Sequence, residues 1–322
     1  MTQAAPLYEQ AARGPDGVGP EGGEAVFVTT PDGARLRLAH WPAMGPATGA
    51  ARGTVLIFNG RSEYIEKFGP VAARLVAAGW HVATLDWRGQ GLSSRHHPEP
   101  LRGHVAEFAE YQADVAALMG FVQARGLPQP LHLLSHSMGG CIGLRALHDG
   151  LPVASAAFSA PMWGIRAFPL PQGMAARLAT SLHGRGQGAM LTPTTTRAGY
   201  VLQAAFRWNM LTRDPEMWHW MRQHLTAHPD LNLGGPSITW LDAAFREMTD
   251  LARRPSPNLP ALVAMGTRER IVCKQAIRRR MAEWPGGKLE IHAGAEHEIL
   301  MERPVHRDRF TAATLALFGR QS

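Results

Sequence analysis

Three observations predict an α/β fold: a mostly parallel sheet with helices on both faces and a helical lid insertion. From Thr54 onward, strand-length apolar runs alternate with helix-length segments, an order that a parallel sheet covered on both faces accommodates. The strands themselves, such as Thr54-Val55-Leu56-Ile57-Phe58, are continuously apolar rather than alternating, as in strands buried on both faces. Between about Trp163 and Pro257 that alternation stops, then resumes near the C-terminus.

In chain order, residues 1–23 are rich in Gly, Pro and Ala and are expected to form a flexible tail. Ala25–Val28 and Ala34–Ala39 read as strands joined at Pro31-Asp32-Gly33, a hairpin signal. Thr54–Phe58 is a buried strand, Phe68–Ala78 a helix stopped by Gly79, and Trp80–Leu85 the next strand. Phe108, Tyr111, Val115, Leu118 and Val122 recur on one helix face, ending near Gly126. Strand Leu131–Leu134, helix Met138–His148 and strand Ala154–Phe158 follow. The C-terminal part reads as strand Ala261–Met265, helix Gln275–Glu283, strand Lys288–His292 and a last helix, Val305–Phe318. The core is thus expected over 24–162 and 258–322, with a helical insertion over 163–257. That insertion holds five of the nine tryptophans (Trp163, Trp208, Trp218, Trp220, Trp240), a composition suited to covering an apolar substrate at the sheet's C-terminal edge. Gly184, Gly186 and Gly188 mark a candidate hinge within it.

With 45% hydrophobic and 18% charged residues the chain has ample material for a core, and disorder is not expected for most of its length. No apolar run approaches the length that crosses a bilayer, and the N-terminus has no signal-peptide pattern. Two cysteines, Cys141 and Cys273, support neither a disulfide framework nor a zinc site. The expectation is a cytoplasmic protein. Its formal charge of +7 comes from scattered arginines without an aromatic-interleaved basic stripe, which argues against nucleic acid and for at most weak contact with the inner face of an anionic membrane. Oligomeric state is not legible.

The chemistry is carried by Leu134-Ser135-His136-Ser137-Met138-Gly139-Gly140, a strand running through a serine straight into a helix. Such a nucleophile elbow lifts Oγ clear of the sheet beside a helix N-terminus, where a histidine reaches it and backbone N–H groups face a developing oxyanion. Gly139 supplies the small residue the turn needs on its helix side. A base must follow in the chain, in a loop after a strand. His297, in Gly294-Ala295-Glu296-His297-Glu298, fits, whereas His292 falls in a strand and His306 near the last helix. The acid belongs in the loop after the preceding strand, where Glu269 is the one carboxylate, and Asp242 and Asp250 of the insertion are weaker candidates. Oxyanion donors are expected from the Met138 N–H and from Arg61 N–H in Asn59-Gly60-Arg61-Ser62-Glu63, with Asn59, Gly60 and Gly139 in support. The Asp86–Ser93 loop reads as structural.

These five ordered motifs, spread over Ala25 to Phe318, resemble the α/β-hydrolase superfamily, and within it the bacterial lysophospholipases and monoacylglycerol lipases grouped with serine aminopeptidase-like hydrolases. The resemblance implies a Ser/acid/His triad, a lid over an acyl pocket and no cofactor. Three departures stand out: Asn59-Gly60 where the family often has His-Gly, Ser135 where it usually has Gly, and Glu269 where it usually has Asp. The expected activity is cleavage of carboxylic esters of apolar acyl chains, lysophospholipids or monoacylglycerols, through an acyl-enzyme. The same triad would serve acyl transfer or amide and thioester hydrolysis, and the fold could also serve as a catalytically silent binding protein. No metal is expected.

Overall fold

The computed structural model describes residues 2–44, 51–95, 97–167 and 169–320. Its sheet has nine strands: β1 (Gln3–Ala4), β2 (Glu24–Thr29), β3 (Arg35–Trp41), β4 (Thr54–Phe58), β5 (His81–Leu85), β6 (Leu131–His136), β7 (Ser155–Ser159), β8 (Ala261–Gly266) and β9 (Gly287–His292). Their spatial order is β1-β2-β3-β5-β4-β6-β7-β8-β9. The pairs from β1 to β5 are antiparallel, and those from β5 through β4 to β9 are parallel.

Helices cover both faces: α1 (Gly69–Ala77), α2 (Glu110–Ala124), α3 (Met138–His148), α4 (Gln172–Leu182), α5 (Tyr200–Gln203), α6 (Pro215–Ala227), α7 (Ile238–Leu251), α8 (Lys274–Ala282) and α9 (Pro304–Phe318). Strand pleating sends Leu56, Phe58, Leu133 and Val263 to one face, against α2, α3, α7 and α8. Val55, Ile57, Leu134 and Ala264 go to the other, against α1, α6 and α9. All five residues of β4 are buried, which accounts for its unbroken apolar run. Each large aliphatic or aromatic side chain so buried contributes about 1.5–3 kcal/mol relative to exposure.

The topology fixes where a site can form. The chain leaves β4 for α1 and β5 on one side, then crosses by α2 to β6 on β4's other side. The loops after β4 and β6 therefore diverge, and the crevice between them lies at the carboxyl ends of the strands. A buried ion cluster braces this corner. Arg37 of β3 binds Glu66 at 2.7 Å and Asp86 at 2.8 Å, and Asp86 also accepts the N–H groups of Ile65 and Leu92. The Asp86–Ser93 loop is thus a brace, as its sequence suggested. Arg88 extends it to Asp114 and Asp32.

Residues 2–23 differ from the flexible tail expected of them. β1 pairs with β2, Ala11 and Ala12 are buried, and Trp220 Nε1 donates to the Arg13 carbonyl. A Gly/Pro/Ala composition signals a lack of regular structure, not a lack of contacts. Among the described residues between β7 and β8 lie α4 to α7, without a strand of the sheet. Four of this segment's tryptophans are buried, whereas Trp208 is 71% exposed. The glycine-rich stretch forms a single turn, His183–Gln187, with Gly186 at φ 77°. Among the described residues no helix is long and apolar enough to cross a membrane.

Candidate active site

Ser137 sits between β6 and α3 with φ 49° and ψ −116°, a backbone conformation that side-chain-bearing residues rarely adopt. Holding a non-glycine residue there costs on the order of 1–3 kcal/mol, and it persists only because neighbours over-determine it. Here the Ser137 N–H donates to Ser159, and the Ser137 carbonyl accepts from Gly140 and Met162. Any Cβ on Gly139 would overlap the Phe58 and Asn59 carbonyl oxygens, so α3 begins pressed against the exit of β4. Ser135 fills the other small position within β6, with its Oγ buried and unpartnered.

His297 lies in the loop after β9, and its Nε2 is 2.9 Å from Ser137 Oγ. Its Nδ1 is 2.7 Å from Glu269 Oε2. Glu269, in the loop after β8, directs Oε1 at the N–H groups of Ile271 and Val272, at 2.6 and 3.0 Å. The glutamate's extra methylene is absorbed by this turn: one oxygen is pinned to the backbone while the other meets the imidazole. The three side chains are buried, with relative exposures of 9% for Ser137, 3% for His297 and 1% for Glu269. Burial pushes the Glu269 carboxyl up, but the charge of and hydrogen bond to His297 outweigh it and hold the group below its ordinary value. Burial likewise pulls His297 down, and Glu269, with Glu298 and Glu63 behind it, raises it above the ordinary histidine value. Asp242 and Asp250 lie elsewhere, engaged with Thr180 and Arg246 and with Arg254. His292 and His306 pair with each other's rings away from Ser137.

The Asn59–Glu63 loop runs alongside. The Asn59 amide donates to the Leu85 carbonyl and its own carbonyl accepts from Trp87, so Asn59 anchors the loop to the β5 exit. Gln90 donates to the Gly60 and Glu63 carbonyls at 2.8 and 3.0 Å. Among the described residues, neither Arg61 N–H nor Met138 N–H donates to another group. These are two free donors at the ends of β4 and β6, one of them in the first turn of α3.

Sequence reasoning left several neighbours unassigned. Glu63 accepts the Gly60 N–H and binds Lys67 at 2.7 Å, and Lys67 binds Glu298 at 2.8 Å, all three buried. A buried Glu-Lys-Glu bridge thus ties the Gly60 loop to the residue following His297. Burial lowers Lys67, but Glu298 and Glu63 raise it further, so its charge persists. His136 packs on His297 at 4.8 Å between ring centres and gives its Nδ1 to Ser159. Burial, with His297 beside it, pushes His136 down to about 3, so it stays neutral. The i, i+4 spacing of Glu63 and Lys67 was readable as a pair; its junction with Glu298 was not.

An elbow serine, a histidine with one nitrogen on that serine and the other on a carboxylate, and two open N–H donors at a parallel sheet's switch point define the α/β-hydrolase class. Residues 49–304 match the family model Hydrolase_4, described as serine aminopeptidase, S33, and the chain belongs to that family. It is 30% identical over 271 residues to the probable lysophospholipase L2 of Haemophilus influenzae, covering 83% of this chain and 84% of that one. With lysophospholipase L2 of Escherichia coli K12 it shares 30% over 282 residues, 83% and 81% of the two chains. A soluble variant of Saccharomyces cerevisiae monoglyceride lipase, solved with a substrate analog, superposes with TM-score 0.72 at 18% identity, over 93% of this chain and 97% of that one. The monoacylglycerol lipase of Paleococcus ferrophilus gives 0.67 at 22%, over 89% and 99%. The chain is a hydrolase of this family, similar to the lysophospholipases L2.

Proposed function

We propose that the protein is a serine hydrolase of carboxylic esters with apolar acyl chains, lysophospholipids or monoacylglycerols, working through an acyl-enzyme. The observation that carries this reading is the continuous line from Ser137 Oγ through both nitrogens of His297 to Glu269, at 2.9 and 2.7 Å. Ser137 Oγ attacks the acyl carbonyl carbon while its proton passes to His297 Nε2. Met138 and Arg61 N–H groups hold the oxyanion, and Glu269 stabilises the imidazolium through Nδ1. Collapse of the intermediate breaks the ester C–O bond, and the leaving alcohol takes the proton from His297. Water, giving its proton to the same nitrogen, then attacks the acyl-serine; the fatty acid departs and Ser137 regains its proton.

The segment 163–257 is the lid in this reading. Its apolar complement and the family relatives that act as lysophospholipases or monoglyceride lipases support a lipid substrate. A fluorophosphonate probe should label the folded protein at Ser137 alone, and Ser137→Ala should abolish labelling. Fatty acid release across a lipid-class panel then tests the substrate. A folded wild type that neither labels nor releases fatty acid refutes the reading.

A further inference from the structure

Arg61 does more than carry a backbone donor. Its Nη1 reaches Ser62 Oγ at 3.0 Å, its Nη2 donates to the Gly234 carbonyl, and its Nε is screened from solvent without a partner. The guanidinium lies 5.6 Å from the centre of the Trp240 ring. Among the described residues no carboxylate stands within ion-pair distance of it, whereas Arg37, Arg88 and Arg145 are each paired. Arg95 also lacks a carboxylate, but four carbonyls accept from it. Arg61 has one carbonyl and one hydroxyl. Burial, offset in part by Tyr111 and by no carboxylate, brings it down to about 10, still fully charged at neutral pH. A cation buried without a counter-charge is costly, and one with a donor left unpartnered has capacity for an anion.

We propose that the Arg61 guanidinium binds the phosphate of the substrate's headgroup, so that lysophospholipids are preferred over neutral monoacylglycerols. The proposal rests on the ester-hydrolase reading and narrows it. Arg61 would then act at both ends of the substrate: its N–H at the oxyanion, its guanidinium at the phosphate. The lengths agree. Arg61 Cζ lies as many covalent bonds from its own backbone nitrogen as the phosphorus of a 1-acyl lysophospholipid lies from the carbonyl carbon under attack. A guanidinium also fits phosphate with parallel N–H bonds, which a point charge cannot reproduce. The surrounding field has the right sign. Residues 150–213 contain six arginines and no aspartate or glutamate, and Arg197 and Arg213 reach out of this stretch to Glu99 and Glu296. A segment this basic beside the crevice draws anionic substrate toward it.

The test compares kcat/KM for 1-acyl lysophosphatidylglycerol and for the monoacylglycerol of the same acyl chain, presented in identical mixed micelles. The wild type should favour the phosphate-bearing ester about tenfold or more. Arg61→Gln, which keeps the backbone donor, should collapse that ratio toward unity whatever it does to absolute rates. Arg61→Lys should restore part of the ratio. A wild type favouring the neutral ester overturns the proposal without recourse to any variant, as does a ratio that Arg61→Gln leaves within about twofold. Inorganic phosphate, tested as an inhibitor of monoacylglycerol cleavage, separates free anion from headgroup. Competitive inhibition lost in Arg61→Gln, without a preference for the lysophospholipid, would assign Arg61 to free phosphate and overturn the headgroup proposal. Failure of Ser137 to label, with neither ester cleaved, would instead sink the hydrolase reading beneath it.

Discussion

The sharpest test of the proposed chemistry is Glu269→Gln. Glu269 Oε1 accepts from two backbone N–H groups while Oε2 faces His297 Nδ1 at 2.7 Å. A glutamine satisfies the Ile271 and Val272 N–H groups only with its carbonyl oxygen, which turns its NH2 toward Nδ1. Nδ1 must then accept, so the imidazole proton moves to Nε2, where it faces Ser137 Oγ. In that tautomer His297 cannot take the serine proton, and the imidazolium loses its counter-charge. Isosteric loss of a triad carboxylate costs about 10⁴ in kcat, or about 5.5 kcal/mol. The pH profile adds a second signature. With Glu269 ionised, His297 titrates above the ordinary histidine value, so its neutral, active form is lost as pH falls through that raised value. Removing the carboxylate should move this acid limb to lower pH while the plateau drops. Glu269→Asp, one methylene shorter, cannot reach both the turn N–H groups and Nδ1, and should fall between wild type and Gln. Steady-state kinetics on a nitrophenyl ester across pH measures all three proteins. A Gln variant within tenfold of wild type, or an acid limb that stays put, would refute the tautomer argument.

Other perturbations follow from the same geometry. Gly139→Ala puts a methyl into the Phe58 and Asn59 carbonyls, and should abolish probe labelling or cost about 1–3 kcal/mol in chemical denaturation through overpacking. Arg37→Met leaves Glu66 and Asp86 buried without their cation, and should destabilise by about 3–5 kcal/mol in the same measurement. Lys67→Met strands Glu63 and Glu298 against each other across the Gly60 and His297 loops. It should lower kcat more than it raises KM, with partial recovery in Lys67→Arg. Deleting residues 1–20 removes the acceptor of Trp220 Nε1 and uncovers that ring, and should lower Tm and red-shift tryptophan fluorescence.

What the sequence disclosed divides along a physical line. Strand-length apolar runs and the elbow are local: β4 is buried on both faces, so its pattern alone announces it, and Ser137 sits where strand meets helix in the chain as in space. The order of serine, acid and histidine is equally linear, which is why Glu269 and His297 could be singled out without coordinates. What remained hidden depends on juxtaposition. Glu298 is an ordinary loop glutamate until the fold brings Lys67 against it, across 231 positions. The N-terminal segment has no periodicity because its hydrogen bonds are divided between its own irregular turns and contacts with β2, Arg37 and Trp220. Arg61 sits between these cases. Its place in the loop was visible, but its charge acquired meaning only when every nearby carboxylate proved to be committed elsewhere: Glu63 to Gly60 and Lys67, Asp86 and Glu66 to Arg37. A sequence lists which charges a protein has. Only the fold decides which of them are left over, and Arg61 is buried without a carboxylate of its own.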